Sequence, residues 1–230
     1  MHIHGLQKLS MVDYPGKIAA TVFTGGCNLR CPFCHNALLV TRLNESPRLE
    51  EEEVIKFLKS RRSLLDGVVL TGGEPLLQPG AADFLARVKD MGFAVKLDTN
   101  GCYPDILSRI LEAGSVDYVA MDIKNCKEKY AATVGVPELD LTPVEHSIAL
   151  LMSGKTDYEF RTTVVKELHT AEDIDAIGQW IRGAKRYFLQ NFEDSGNLIA
   201  DGFHGFSEEE IRVLSRRAAP HVEYIGVRGY

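Results

Sequence analysis

Short β-rich runs alternate with amphipathic helical segments along almost the whole chain. The predicted strands are Ala19–Thr24, Val68–Thr71, Ala94–Leu97, Tyr118–Met121, Tyr158–Val165, Tyr187–Leu189 and Val222–Val227. Between them, helices are predicted over Leu49–Leu65, Ala81–Met91, Pro104–Ala113, Glu172–Arg182 and Glu208–Ala218. Glu50–Glu53 supply the acidic first turn that a helix dipole favours, Gly92 stops the second helix, and Ser207 with Glu210 forms a capping box. Such alternation predicts parallel strands with the helices outside. A complete eightfold barrel usually takes about 250 residues. This chain has 230 residues and about six strand–helix units, so the expected fold is α/β, a partial (β/α)6 TIM-like barrel. A doubly wound open sheet is the alternative. No linker, low-complexity tract or repeat divides the sequence, and Gly135–Pro143 reads as a loop inside a single domain spanning 1–230.

Hydrophobic residues at 45% and charged residues at 25% are ordinary for a soluble globular chain. No apolar run approaches the ~20 residues of a membrane span. Met1–Gly5 lacks the basic stretch and apolar run of a signal peptide, so a cytoplasmic location is expected. A net charge of −6 argues against general attraction to nucleic acid.

The five cysteines are too few and too unevenly placed for a disulfide scaffold. Three of them lie within Gly25-Gly26-Cys27-Asn28-Leu29-Arg30-Cys31-Pro32-Phe33-Cys34-His35-Asn36, spaced Cys-x3-Cys-x2-Cys. A cubane iron–sulfur cluster is normally held by four thiolates. Three clustered thiolates leave one iron without a protein ligand, and an open coordination position is where metal chemistry occurs. A structural zinc with His35 as fourth ligand is the competing reading. It is weakened because His35 adjoins Cys34, and such sites use two separated ligand pairs. Cys102 and Cys126 stand 24 residues apart without neighbouring cysteines and read as free thiols.

Other polar motifs follow the remaining strands: Thr71-Gly72-Gly73-Glu74-Pro75, Asp98-Thr99-Asn100-Gly101 and Asp122-Ile123-Lys124. Arg161 lies within a later strand, and Gln190-Asn191 follows another. Taken singly, these are turns and solvated charges. In a parallel barrel, however, the C-terminal strand ends form one active face, so Cys27, Glu74, Asp98, Asp122 and Lys124 should converge there.

Together these motifs resemble the radical S-adenosylmethionine (SAM) superfamily, and most closely the activating enzymes of glycyl-radical enzymes. Cys34-His35-Asn36, Gly72–Pro75, Asp98–Gly101 and Asp122–Lys124 carry that resemblance. The opening Leu6–Ser10 and Asp13-Tyr14-Pro15-Gly16-Lys17 resembles the anaerobic ribonucleoside-triphosphate reductase activating branch. The resemblance implies a partial barrel of the radical SAM type and a [4Fe–4S] cluster on Cys27, Cys31 and Cys34. Reductive cleavage of SAM would then give a 5′-deoxyadenosyl radical that takes hydrogen from a glycine of a partner glycyl-radical enzyme. It implies SAM contacts from Asn36, Gly72, Gly73, Glu74, Asp98, Lys124, Arg161 and Gln190. It further implies a monovalent cation at Asp98, Thr99 and Asp122, with the Ala120 carbonyl, and a flavodoxin- or ferredoxin-type electron donor. Where the pyruvate formate-lyase activator has a His after its sixth strand, this chain reads Leu189-Gln190-Asn191-Phe192. His35–Thr71 has no cysteine and no room for a ferredoxin-like insertion. Val227-Arg228-Gly229-Tyr230 resembles a glycyl-radical loop in letters but reads as the end of the last strand. A radical SAM enzyme acting on a small molecule, such as a deazapurine precursor, is one alternative. A noncatalytic metal-binding or redox-sensing protein is the other.

Overall fold

The computed structural model describes residues 1–194 and 196–229. Eight strands form one sheet in chain order: β1 (Ile3–Ser10), β2 (Ala19–Thr24), β3 (Gly67–Gly72), β4 (Ala94–Thr99), β5 (Tyr118–Asp122), β6 (Asp157–Val164), β7 (Tyr187–Asn191) and β8 (Ile225–Arg228). β1 runs antiparallel to β2, and every later pair is parallel. Helices α1 (Ala37–Thr41) and α2 (Glu51–Ser60) follow β2, α3 (Ala81–Asp90) follows β3, and α4 (Pro104–Glu112) follows β4. Then come α5 (Lys127–Thr133) and α6 (Thr142–Met152) after β5, α7 (Ala171–Trp180) after β6 and α8 (Glu208–Ala218) after β7. Each strand from β2 to β7 therefore has a helical crossover, which makes six strand–helix units, and β8 adds a last parallel strand. The architecture is a partial TIM-type barrel. Among the described residues no helix is long and apolar enough to cross a membrane.

Local sequence explains most element ends. Thr170 with Asp173, and Ser207 with Glu210, form complete capping boxes at α7 and α8. Pro104 occupies the first turn of α4, where its missing N–H costs nothing. α2 stops at Ser60, short of the expected Leu65, because the chain turns there and the Leu64 and Leu65 amides both bond the Arg61 carbonyl. The last strand begins at Ile225, not Val222, because Pro220 sits in a 3-10 turn over Ala219–His221. α6 starts inside the segment expected to be loop, with Pro143 in its first turn. Tyr230 lies outside the described residues.

Alternating strand residues face opposite ways. Val68, Leu70, Val95, Leu97, Val119, Met121 and Phe160 join the large core under the helices. The other face lines the barrel. At its N-terminal end Tyr14 packs with Ala19, Val69, Tyr118 and Ala120. The Tyr14 and Tyr118 ring centroids are 6.0 Å apart. The Asp13–Lys17 motif is thus a plug: Tyr14 fills the barrel floor, Thr21 Oγ1 donates to Asp13 at 2.6 Å, and Gly16 takes the positive φ of 71° that the turn needs. Above the floor the lumen becomes charged, with Lys96, Asp98, Asp122, Glu159 and Arg161 on β4, β5 and β6.

Candidate active site

The cysteine loop leaves β2 and wraps over the C-terminal strand ends. Three backbone bonds hold its base: Gly26 N donates to Leu39 O, Gly73 N to Thr24 O, and Glu74 N to Gly26 O, at 2.7, 2.9 and 2.8 Å. The Gly-Gly pair is required by close approach. A Cβ at Gly72, whose φ is +122°, would lie 2.3 Å from backbone atoms of Thr24, and one at Gly73 would lie 1.9 Å from the Gly26 carbonyl oxygen. Asn36 Nδ2 donates to the Gly72 carbonyl at 2.8 Å and ties the far end of the loop to the same strand.

Cys27, Cys31 and Cys34 open on one cavity of about 200 Å³, together with Asn36, Gly72, Gly73, Asp98, Thr99, Asp122, Lys124 and Arg161. The loop thus brings the three expected thiols to one place, and the barrel brings most of the expected polar groups to face them. Burial pushes the Cys27 and Cys31 thiols up to about 11 and about 12, and raises Cys34 as well. Ligation requires thiolates, so metal assembly here releases protons. Among the described residues no three His, Cys, Asp or Glu side chains converge tightly enough for a single ion. His35 lines the same cavity, but its Nε2 lies 2.7 Å from the Glu193 carbonyl and its ring stacks on Phe192. The donor set therefore suits a multi-iron cluster better than zinc.

Behind the cavity runs a ladder of ion pairs. Asp98 is bonded by Lys96 and by Arg161 Nη1, the latter at 3.2 Å, while Asp122 accepts from Arg161 Nε and Lys124 Nζ, both at 2.9 Å. Burial works against the Asp122 charge, yet Arg161 and Lys124 hold its carboxyl at about 2. The oxygens expected for a monovalent cation are thus engaged by side-chain cations, and Thr99 Oγ1 donates instead to Glu74 at 2.8 Å.

Glu74 stands between the loops after β3 and β4. It is fully buried, does not line the cavity, and accepts from Leu76 N, Thr99 Oγ1 and Asn100 N at 2.9, 2.8 and 2.7 Å. Burial pushes its carboxyl up to about 7 against those three bonds. It fastens the loop after β3 to the loop after β4. Gln190, the penultimate residue of β7, pairs with Thr163 of β6, and Thr163 lines the cavity while Gln190 does not.

Sequence reasoning missed three contributors. Lys96 is a nearly fully buried amine whose signal was a charge inside an apolar strand. Asn100 Nδ2 donates to Asn28 Oδ1 at 2.8 Å, a clasp that joins the cysteine loop to the end of β4. Their letters read as turn residues, and no sequence signal distinguishes that clasp.

The chain matches the Radical SAM superfamily model over residues 21–218. It is 33% identical over 237 residues, 98% of this chain and 95% of the relative, to a Methanocaldococcus jannaschii protein whose name assigns it by inference to the glycyl-radical enzyme activating enzymes. It is 36% identical to the pyruvate formate-lyase-activating enzyme of Clostridium pasteurianum, over 83% of this chain and 87% of that one. Among solved structures, Streptococcus suis SuiB bound to its precursor peptide SuiA aligns with a TM-score of 0.71 at 13% identity, over 91% of this chain and 48% of that one. A domain of the pyruvate-formate lyase-activating enzyme from Bacteroides vulgatus aligns at 0.58 and 17% identity, over 71% of this chain and 99% of that one. These two structural likenesses support the fold alone.

Proposed function

We propose, starting from a chain that belongs to the radical SAM superfamily and within it to the glycyl-radical enzyme activating enzymes, that its partner is an anaerobic ribonucleoside-triphosphate reductase. The opening of three loop thiols onto the cavity that holds Asp98, Asp122, Lys124 and Arg161 carries the assignment of the site. Cys27, Cys31 and Cys34 would hold the [4Fe–4S] cluster. When bound, that cluster supplies the electron that cleaves the SAM sulfonium, after which a hydrogen atom is taken from a glycine Cα of the partner.

The residues of this chain bind and orient. The Gly72–Gly73 backbone presents its polar groups at close range, and Asn36 fixes the Gly72 carbonyl. Lys124 and Arg161 place cationic groups at the cavity, where the SAM carboxylate would meet them. A carboxylate arriving at Arg161 competes with Asp98 and Asp122 for the guanidinium. The oxygens so released would then take a monovalent cation, with Thr99. Glu74 acts through Thr99 and Asn100 and positions the pocket without touching the ligand.

Support for this particular partner comes from the Leu6–Lys17 resemblance. That segment forms β1 and the plug at the opposite end of the barrel from the cavity, so it marks the branch without contacting a substrate at the mouth. A flavodoxin- or ferredoxin-type protein would deliver the electron.

The test incubates the anaerobically reconstituted protein with SAM, a reductant and candidate partners. A glycyl-radical doublet by electron paramagnetic resonance (EPR) is expected on the reductase. A doublet on pyruvate formate-lyase alone would reassign the partner. SAM turnover driven only by a small molecule would replace the activase reading.

A further inference from the structure

Tyr130 carries a buried hydroxyl that the site described so far does not use. It sits midway along α5, its side chain is fully buried, and its ring meets Trp180 edge-on with centroids 6.0 Å apart. Its oxygen finds no hydrogen-bond partner among the described residues. A buried phenol without a partner has given up its hydrogen bonds to water and gained none in return, so such a group points to an acceptor that arrives later. Burial raises the phenol's proton affinity, the Cys102 and Cys31 thiols add to that, and Lys124 works against it through its charge and its backbone amide.

α5 is locked to the cysteine loop. The Arg30 amide donates to the Val134 carbonyl at 2.8 Å, immediately past the end of α5. Gly135, at φ +67°, packs so tightly that a Cβ would lie 2.7 Å from the Arg30 carbonyl oxygen. Tyr130 is therefore held in register with Cys31, the residue after Arg30, and both side chains belong to the same buried cluster.

The three thiols are not equally served. Cys27 Sγ accepts from the Leu29 amide at 3.4 Å and lies 3.8 Å from Asn100 Nδ2. The Asn36 amide acts on Cys34. At Cys31, the most buried of the three, no donor does so among the described residues. One buried donor without an acceptor and one buried sulfur without a donor thus sit on two segments that the Arg30–Val134 bond ties together.

We propose that the Tyr130 hydroxyl donates a hydrogen bond to the sulfur of Cys31 when the cluster is in place, and that Tyr130 thereby tunes the cluster's reduction potential. A donor at a ligating sulfur stabilises the added electron and raises the potential. Tyr130 is a positioning residue: it acts through Cys31 and need not touch SAM. The inference rests on the reading that Cys27, Cys31 and Cys34 hold the cluster.

The test is a redox titration of reconstituted holoenzyme without SAM, following the EPR signal of the reduced cluster after iron content has been measured. Tyr130→Phe removes only the hydroxyl. It should lower the reduced-to-oxidised ratio at fixed potential about tenfold, a shift of about 59 mV to more negative values for one electron. Tyr187→Phe is the control. That phenol is also fully buried but donates to Thr162 Oγ1 at 2.7 Å, so its loss should leave the potential unchanged. Fluorotyrosine at position 130, a more acidic donor, should move the potential the other way. An unchanged potential in fully loaded Tyr130→Phe protein overturns the proposal. If that variant cannot be loaded, the absence of a positive shift with fluorotyrosine does so. A wild-type protein without a four-iron cluster would instead overturn the underlying reading, and the iron assay distinguishes the two.

Discussion

Gly73 and Gly26 approach so closely that a Cβ on Gly73 would lie 1.9 Å from the Gly26 carbonyl oxygen. The obstacle is backbone, which cannot swing aside as a side-chain tip can. Gly73→Ala should therefore displace the start of the cysteine loop, destabilising the protein by about 1–3 kcal/mol or more and lowering bound iron. Gly114→Ala is the comparison: its φ of +64° is strained for alanine, but nothing lies within 4 Å. It should cost about 1 kcal/mol and leave iron loading intact. Iron content and urea midpoints check both. Equal iron content in the two variants would show that the loop can accommodate the methyl group.

Replacing Cys27, Cys31 or Cys34 with Ala should abolish the intact cluster and SAM cleavage. Replacing Cys102 and Cys126 together should leave iron at four per chain. Cys126 lies before α5 with its sulfur 3.4 Å from Asp173 Oδ1, a structural contact whose loss should lower thermal stability alone. An iron count that falls in the double variant would reveal a further ligand.

Glu159 tests the barrel's inner electrostatics away from the cavity. Burial opposes its charge, yet the Arg228 guanidinium, bonded at 2.7 Å to each of its oxygens, holds the carboxyl below the usual range, helped by Arg161 and Tyr118. A carboxyl depressed on folding contributes stability that is present above its unfolded value, near 4.5, and is lost as pH falls through the folded value. Glu159→Gln should flatten that acid limb. At neutral pH it should cost stability toward the lower end of the roughly 3–5 kcal/mol seen on breaking a buried pair, since Arg228 is partly exposed. Urea titrations at pH 6, 4.5 and 3.5, taken roughly across the window where carboxylates protonate, would refute this if both proteins shared one slope.

The sequence revealed what repeats or clusters and concealed what depends on contacts between distant segments. Val68, Leu70, Val95, Leu97 and Val119 belong to compact apolar runs, so the inner strands were plain. β1 was not: it is an edge strand, and of its eight residues only Ile3 and Ser10 are buried, so no alternation shows. α6 was half concealed because Thr142-Pro143 reads as loop chemistry although Pro suits a first turn. At the site, Cys27, Cys31 and Cys34 declared themselves by spacing. That Arg161 reaches on from Asp122 to Asp98 and bridges the two could not be read, because Asp98 and Arg161, 63 positions apart, meet only through strand register.

The same bridge makes the cation proposal testable. Arg161→Ala would leave Asp98 and Asp122, on the neighbouring strands β4 and β5, with one cation each, Lys96 and Lys124. SAM affinity should fall by at least tenfold, about 1.4 kcal/mol, and what binding remains should depend more steeply on potassium or sodium than in the wild type. Tetramethylammonium is too large for an oxygen-lined site and should not substitute. Calorimetric SAM titrations in the three salts decide it, and identical affinities in all three, for both proteins, would remove the cation from the mechanism.

Glu74 offers the sharpest contrast between a ligand-binding and a positioning role. If its carboxylate met the SAM ammonium group, Glu74→Gln would weaken SAM binding and leave the SAM-free protein unchanged. The geometry supports the positioning role. Three donors converge on the two carboxylate oxygens: Leu76 N, Thr99 Oγ1 and Asn100 N. Glutamine keeps one oxygen and replaces the other with an NH2 group, which would confront a donor with a donor. The Asn100 amide or the Leu76 amide would then be left unsatisfied in a fully buried place, at a cost of about 1–3 kcal/mol. Because Asn100 also clasps Asn28, that disturbance reaches the cysteine loop. Glu74→Gln is therefore expected to lower the melting temperature of the SAM-free protein and to reduce iron retention, with SAM affinity falling only as far as cluster occupancy falls. Full thermal stability and iron content with a selective loss of SAM binding would place the carboxylate on the ligand instead.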